Sequence, residues 1–180
     1  MVRVQWNDPA IIKRVLDMGA YGIMVPWIGG RAEAEAAVRA AKYPPDGIRG
    51  SPAATGPGAT GDTPPEYWKR ANEEVLVVLQ VETRAAVEEI DQIVKIPGVD
   101  VIFIGPGDLS TALGHMGNPG HPDVQAAFAR RGGGHTRGGP RPRQHHAWLG
   151  AGALSSTERG TSSSRSPRTR RWWFREARTS

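Results

Sequence analysis

The chain has 180 residues, contains no cysteine and carries a formal net charge of +5. This length suits a single domain, and the lack of cysteine excludes both a disulfide framework and a thiolate metal site. The sequence has no apolar run of about 18 residues that would span a membrane, and its first residues do not resemble a signal peptide. We therefore expect a cytoplasmic protein with no membrane partner.

The net charge is the sum of two parts of opposite sign. Residues 1–128 contain 11 Lys and Arg against 16 Asp and Glu, a net charge of −5. Residues 129–180 contain 12 Arg against two Glu, a net charge of +10. The isoelectric point of the whole chain therefore says nothing about residues 1–128, which are the part predicted to fold.

The N-terminal quarter of the chain alternates between predicted strands and helices. After a short apolar start, Asp8 and Pro9 predict the N-cap and first residue of a helix. Residues 21–26 predict a strand closed by Pro26, a second helix follows, and residues 46–50 predict a third short strand. Such alternation is typical of an α/β fold.

The middle of the chain continues the alternation after one long loop. Residues 51–63 are mostly Gly, Ala, Pro and Thr, which predicts a loop that in a barrel would lie over the site. Pro64 begins a predicted helix. Two continuous apolar runs, residues 75–82 and 99–108, then predict strands buried on both faces, and residues 83–94 between them have helical spacing.

Each of these two apolar runs ends in a carboxylate, Glu82 in the first and Asp108 in the second. A strand–helix–strand unit of this size predicts a right-handed crossover between parallel strands. Its two carboxylates then lie at the carboxyl edge of the sheet, where α/β folds place their chemistry. Two oxygen ligands at one place indicate a site for a hard divalent cation. The simpler interpretation is that Glu82 is solvated and that Asp108 only caps a turn.

After Asp108 the sequence predicts a polar loop with one short helical turn, and then a helix from about residue 123. The loop contains His115 and His121, which show no metal-ligand spacing to a second His or Cys. From residue 129 the composition is rich in Arg, Gly, Pro and Ser and predicts disorder. This segment is either a basic tail that contacts nucleic acid or the product of a shifted reading frame.

Four ordered segments resemble the HpcH/HpaI aldolase family, which includes 4-hydroxy-2-oxoheptanedioate aldolases and relatives of the citrate lyase β-subunit. The segments are WNDPAIIKRVLDMGAYGIMVP, KYPPDGIRG, LQVET and FIGPGDLS, and they lie within residues 2–128. The resemblance implies a partial (β/α)8 TIM barrel with about four of the eight βα units. It thus divides the chain into a partial barrel at 1–128 and a low-complexity tail at 129–180.

The same resemblance implies a role for five residues. Glu82 and Asp108 match the two carboxylate ligands of a divalent metal, most often Mg²⁺ or Mn²⁺. Arg3 matches the arginine that holds the oxygen of pyruvate and its enolate. Gln80 matches the glutamine beside the pyruvate carboxylate or a metal-bound water, and Gly107 stands where a backbone N–H meets that carboxylate. The segment that carries the family's His/Asp acid–base pair does not occur in this sequence.

The activity implied is that of a metal-dependent class II aldolase, which cleaves a 4-hydroxy-2-oxo acid to pyruvate and an aldehyde. Oxaloacetate decarboxylation and citrate-lyase-like cleavage use the same enolate and stay open. A small 2-oxo acid is the implied substrate, and family members are typically homo-oligomers. The alternative is an inactive fragment, or a scaffold whose Arg-rich tail binds nucleic acid or another polyanion through up to 12 Arg.

Overall fold

The computed structural model describes residues 1–51, 64–130 and the backbone of 147–150 as an α/β fold with one parallel sheet. The five strands are β1 (Val2–Arg3), β2 (Gly22–Ile28), β3 (Leu76–Val81), β4 (Val101–Ile104) and β5 (Ala147–Gly150). The helices are α1 (Pro9–Asp17), α2 (Arg31–Ala41), α3 (Pro64–Glu74), α4 (Arg84–Glu88), α5 (Ile90–Ile93), α6 (Pro106–Ala112) and α7 (Pro122–Ala129). None of the helices in these ranges is both long and apolar enough to cross a bilayer.

The strands follow one another across the sheet in chain order, and every neighbouring pair is parallel. Each crossover between described strands contains at least one helix, as parallel pairing requires. Strands that are consecutive in the sequence are therefore neighbours in the sheet, which is consistent with part of a (β/α) barrel. The predicted α/β class and parallel sheet are thus confirmed.

The core lies between the sheet and the helices. Alternate residues of the strands, including Ile23, Val25, Val77 and Leu79, are completely buried against them. Their neighbours in sequence point to the opposite face, because successive side chains of a strand alternate. That opposite face is where the candidate site lies.

Strand β2 does not end at Pro26 as predicted, but continues to Ile28. Its pairing with β3 shifts between Val25 and Ile28, which marks a bulge. A bulge tolerates Pro26, whose missing N–H would otherwise cost a ladder hydrogen bond. Trp27, within this bulge, has a φ of 55°, in the left-handed region that bulky residues rarely adopt.

Residues 46–50 do not form the predicted third strand. Their backbone N–H groups instead donate hydrogen bonds to carbonyl groups at and just after the end of α2. Gly47 N–H donates to Tyr43, Ile48 N–H to Arg39 and Arg49 N–H to Lys42. These bonds occupy the N–H groups that a sheet would need, so β2 pairs directly with β3.

Two further predicted elements are shorter than expected. The single helix predicted at 83–94 divides into α4 and α5 at Glu89, whose φ of −96° and ψ of 7° depart from helical values. Thr83 caps α4 as its sequence position suggests, since its hydroxyl accepts from the Ala86 N–H. Strand β4 ends at Ile104, so Asp108 belongs to the following helix α6 and not to the strand.

Strand β5 lies within the segment predicted to be disordered. Ala147–Gly150 pairs with β4 along its whole length. The open edge of β4 offers backbone hydrogen bonds to this segment, which a prediction from composition does not consider. Residues 131–146 and 151–180, and the predicted loop from 52 to 63, lie outside the described residues, so their predictions remain untested.

Candidate functional site

Glu82, the first residue after β3, is fixed by two hydrogen bonds although it is almost fully buried, with 3% of its surface exposed. The Trp27 backbone N–H donates to its Oε2 at 3.1 Å, and Gln80 Nε2 donates to its Oε1 at 2.8 Å. Each carboxylate oxygen has a second lone pair. The carboxylate is therefore held in one orientation and can still bind another ligand.

Gln80 and Arg3 lie on the same face of the sheet as Glu82. Arg3 stands opposite Met24, which stands opposite Val78. Aligned residues of parallel strands point to the same face, and the side-chain period of a strand is two. Residues 78, 80 and 82 thus share that face with Arg3. Strand register therefore brings three of the five predicted residues, Arg3, Gln80 and Glu82, to one face.

Gln80 is buried to the same degree as Glu82, with 3% of its surface exposed. Its Nε2 faces the Glu82 carboxylate, while its Oε1 accepts no hydrogen bond from any described residue. An unpartnered buried acceptor costs on the order of 1–3 kcal/mol. This oxygen therefore provides an unused acceptor beside Glu82.

The charges of Asp108 and Arg3 both act on the Glu82 carboxylate. Burial raises the pKa of Glu82 above its ordinary value, and the negative charge of Asp108 raises it further. The Trp27 backbone hydrogen bond and the positive charge of Arg3 lower the pKa of Glu82. Two carboxylates that oppose each other's ionisation favour a bound cation, which would stabilise both charged forms.

Asp108 reaches this site from the first turn of α6, not from the strand end that the sequence suggested. Its side chain is exposed, whereas that of Glu82 is buried. Gly107 precedes it in the same turn, where helix geometry leaves backbone N–H groups without an intrahelical acceptor. The five predicted residues thus come from β1, β3 with the residue that follows it, and the start of α6.

Two residues of the site were missed by the sequence interpretation. Trp27 contributes its backbone N–H, and Gly105 contributes space: a Cβ at Gly105 would lie 2.3 Å from Glu82 Oε1. Trp27 acts through its backbone and Gly105 through the absence of a side chain, so neither residue type points to the site. Only the position of Gly105 between β4 and Pro106 could have indicated a close approach of the backbone.

The described residues fit a hard divalent cation at this edge. Glu82 and Asp108 offer carboxylate oxygens, and Gln80 offers a buried amide oxygen without a partner. Mg²⁺ prefers oxygen ligands and commonly uses one or two protein carboxylates while it keeps several waters. A donor set of this kind suits Mg²⁺ or Mn²⁺ better than a metal that prefers nitrogen or sulfur.

Comparison with known proteins identifies relatives over this part of the chain. A profile of the HpcH/HpaI aldolase/citrate lyase family matches residues 1–132. A 4-hydroxy-2-oxo-heptane-1,7-dioate aldolase from Klebsiella pneumoniae is 48% identical over 128 residues, which are 71% of this chain and 48% of that protein. The chain spans about half the length of the curated relatives it matches.

Solved structures agree with the sequence match. An HpcH/HpaI aldolase/citrate lyase family protein from Burkholderia cenocepacia J2315 has 42% identity and a TM-score of 0.67, over 72% of this chain and 52% of that one. An HpcH/HpaI aldolase from Desulfitobacterium hafniense has 31% identity and a TM-score of 0.65, over 87% and 68% of the two chains. The resemblance found in the sequence motifs is thus confirmed, and the chain belongs to the HpcH/HpaI aldolase/citrate lyase family.

Proposed function

We propose that this chain carries the metal and pyruvate site of a class II aldolase that cleaves a 4-hydroxy-2-oxo acid to pyruvate and an aldehyde. The observation that carries the proposal is the buried Glu82 carboxylate. It is fixed by Trp27 and Gln80 and is influenced by the charges of Asp108 and Arg3. Its relatives among the 4-hydroxy-2-oxo-heptane-1,7-dioate aldolases support the same reaction class.

In this proposal Glu82 and Asp108 hold Mg²⁺ or Mn²⁺, which when bound supplies Lewis-acid polarisation of the oxygens of a 2-oxo acid. The chain's own residues provide the rest. Arg3 donates hydrogen bonds to the ketone oxygen of the substrate, where negative charge develops as the carbon–carbon bond breaks. Its exposed position in β1 leaves the guanidinium available for a ligand.

Gln80 and Gly107 position the substrate. Gln80 has two tasks, because its Nε2 orients Glu82 while its Oε1 stays available to a water or ligand donor. Gly107 offers its backbone N–H to the substrate carboxylate from the first turn of α6, where the helix dipole also favours an anion. Its exposure and the open space around its Cα allow close approach.

The complete architecture of the proposed enzyme is a (β/α)8 barrel, of which the described sheet forms part. A barrel of this type takes about 250 residues. The aldehyde product, a homo-oligomeric assembly and a cytoplasmic location belong to the proposal as expectations from the family. Oxaloacetate decarboxylation and citrate-lyase-like cleavage are the alternative reactions of the same site.

The proposal is tested by measuring pyruvate release from 4-hydroxy-2-oxo acids in the presence of Mn²⁺. Because the segment with the acid–base pair is absent, solvent water takes the C4 hydroxyl proton, so we expect slow pyruvate release by the full chain. The Glu82→Ala variant should be at least about tenfold slower still, since a metal ligand is lost. Glu88→Gln, a change at an exposed glutamate, is the matched control and keeps the rate. Equal rates for the full chain and Glu82→Ala would reject the assignment.

The basic segment supports a second candidate function, binding of nucleic acid or another polyanion. Residues 129–180 carry a net charge of +10, and Trp172 and Trp173 lie between arginines. We expect the affinity of the full chain for single-stranded DNA to fall steeply with salt. Replacing Arg168, Arg170 and Arg171 with Gln should reduce that slope; an unchanged affinity and slope would exclude this function.

A further inference from the structure

A second cluster of metal-ligand side chains lies in the loop between α6 and α7. The loop turns twice, at Gly114 and Gly117, with φ values of 87° and 73°. Asn118 N–H donates to the His115 carbonyl, and His121 N–H donates to the Asn118 carbonyl. These bonds close the loop on itself. As a result the His115 and His121 rings stack, with centroids 3.4 Å apart and an interplanar angle of 16°.

Asp123, in the first turn of α7, completes the cluster. Its Oδ2 lies 3.0 Å from His115 Nε2 and 3.6 Å from His121 Nδ1. One ligand atom from each of the three side chains lies within 4.8 Å of the others. Ligand atoms that share a zinc ion at about 2.0–2.1 Å are roughly 3–3.4 Å apart. The two distances to Asp123 Oδ2 are thus close to the spacing that one ion would impose, and the two histidine nitrogens would have to move to within about 3.4 Å of each other.

Asp123 is the anionic member of the cluster. The hydrogen bond from His115 lowers the pKa of Asp123, with smaller contributions from the charges of His121, His115 and Arg84. Asp123 is therefore an ionised ligand at neutral pH. His121 Nδ1 accepts from the Asp123 backbone N–H at 3.2 Å, which points this nitrogen toward the start of α7.

The histidine rings are partly exposed, with 25% and 33% of their side-chain surfaces accessible. An ion can therefore reach them, and binding requires the nearly parallel rings to rotate so that both lone pairs point to the ion. Binding at His121 Nδ1 replaces its bond to the Asp123 N–H. Arg84 is the nearby charge that opposes a cation, but Asp123 is mostly exposed and solvent screens this repulsion.

We propose that His115, His121 and Asp123 form a second metal site, selective for Zn²⁺ or a similar nitrogen-preferring divalent ion. Imidazole ligands suit Zn²⁺, whereas Mg²⁺ prefers an all-oxygen set. Because its ligands differ from the Glu82 and Asp108 carboxylates, the two sites bind different metals. The cluster also lies on other residues, beyond the C-terminal end of α6. A bound ion would join the α6–α7 loop to the first turn of α7.

The test is a Zn²⁺ titration of the full chain with Glu82→Gln and Asp108→Asn already in place, which removes the carboxylate site. We expect one zinc ion per chain, and at least about tenfold weaker binding when His115→Gln is added. Substituting Co²⁺ should give visible d–d absorption that His115→Gln abolishes. Mg²⁺ in excess should not displace the zinc.

Two control variants separate zinc binding at this cluster from binding at the remaining histidines of the chain. The His135→Gln, His145→Gln and His146→Gln triple variant removes those remaining histidines and should retain the ion. His121→Asn keeps a side-chain acceptor for the helix N-terminus but should lose the ion. If His115→Gln and His121→Asn bind Zn²⁺ as tightly as the parent, or if the parent binds none, the cluster is only a structural contact and the proposal is wrong.

Discussion

Glu82 combines two properties that seldom occur together in an unbound carboxylate: near-complete burial and nearby negative charge. Burial and Asp108 both raise its pKa, while the Trp27 N–H and Arg3 lower it. The hydrogen bonds from Trp27 and Gln80 orient the group but provide no positive charge within hydrogen-bonding distance. A carboxylate in this environment gains most from a cation, which is the physical basis of the proposed metal site.

The raised pKa of Glu82 predicts how stability depends on pH in the absence of metal. The folded chain binds this proton more tightly than the unfolded chain, whose carboxyl titrates near its ordinary value of 4.5. Protonated Glu82 therefore stabilises the fold fully below pH 4.5. This stabilisation is lost as the pH rises through the higher pKa of Glu82 in the folded chain. In EDTA, the Tm of the wild type should fall relative to Glu82→Gln as pH rises above 4.5. A constant difference in Tm across this range would contradict the shift.

A substitution at Gly105 gives a second prediction at the scale of one residue, a loss of Mn²⁺ affinity. An added Cβ would lie 2.3 Å from Glu82 Oε1 and 3.0 Å from Cδ, so Gly105→Ala must displace the carboxylate. Its φ of −84° suits alanine, so the backbone itself is not strained. We expect Mn²⁺ affinity to fall about tenfold or more, in the range of lost supporting contacts.

The matched control is Gly107→Ala, because a Cβ there meets nothing within 4 Å. Isothermal titration with Mn²⁺ should give the same affinity for Gly107→Ala as for the wild type. Equal affinities for Gly105→Ala and the wild type would show that the close approach to Glu82 has no consequence for the metal.

The strand pattern selected Glu82 and Asp108, and the family resemblance added Arg3, Gln80 and Gly107, but neither revealed how Glu82 is held. Trp27 acts through its backbone N–H, and the bulge that directs this group is a property of strand pairing. Gly105 acts through the side chain it lacks. Periodicity and motifs describe side chains in one segment, so they miss contacts that depend on where two segments meet.

Helix α1 shows an element whose sequence signals and structure agree. Asp8 accepts from the Ala10 N–H at 2.7 Å and from the Ile11 N–H at 3.0 Å, and Pro9 follows as the first helical residue. Ile12 and Leu16 are buried on one face, as their spacing predicts. Local hydrogen bonds and one amphipathic face determine this helix, so its sequence is sufficient to predict it.

Asp8→Ala removes both capping bonds and should destabilise the fold by about 1 kcal/mol. For a chain of this size that corresponds to a fall in Tm of about 2–4 °C. Asp8→Asn retains a capping oxygen and should remain close to the wild type. Differential scanning calorimetry of the three proteins measures the effect, and equal Tm values for wild type and Asp8→Ala would refute the capping role.

Elements that depend on distant partners were predicted less well. Residues 46–50 look like a strand but bind the end of α2, and β5 pairs with the open edge of β4 although its composition predicts no structure. In both cases the available hydrogen-bond partner decides the conformation. That partner lies in another element, which a local pattern does not contain.

In the molecule as a whole, the site exists only when the sheet is assembled. Its residues come from β1, the bulge of β2, the end of β3 and the start of α6, which are far apart in the sequence. The unfolded chain cannot bring them together, so an ion that binds there stabilises the fold by mass action. The fold and the metal affinity are therefore thermodynamically linked.

This linkage predicts a metal-dependent melting temperature. At a Mn²⁺ concentration about 100 times its Kd, the gain is about 2.7 kcal/mol. In a chain of this size it raises Tm by roughly 5–10 °C. Calorimetry with and without Mn²⁺ should show this rise in the wild type and not in a Glu82→Gln, Asp108→Asn double variant. A rise of the same size in the double variant would place the ion elsewhere.

The proposed metal site is tested most simply by Mn²⁺ binding to the full chain, followed by electron paramagnetic resonance of the free ion. We predict one Mn²⁺ per chain, bound at least about tenfold more weakly by Glu82→Gln and with unchanged affinity by the exposed control Glu88→Gln. Pyruvate should change the spectrum of the bound ion in the wild type. Binding that is equally tight in Glu82→Gln, or no binding in the wild type, would contradict the assignment of Glu82 as a metal ligand.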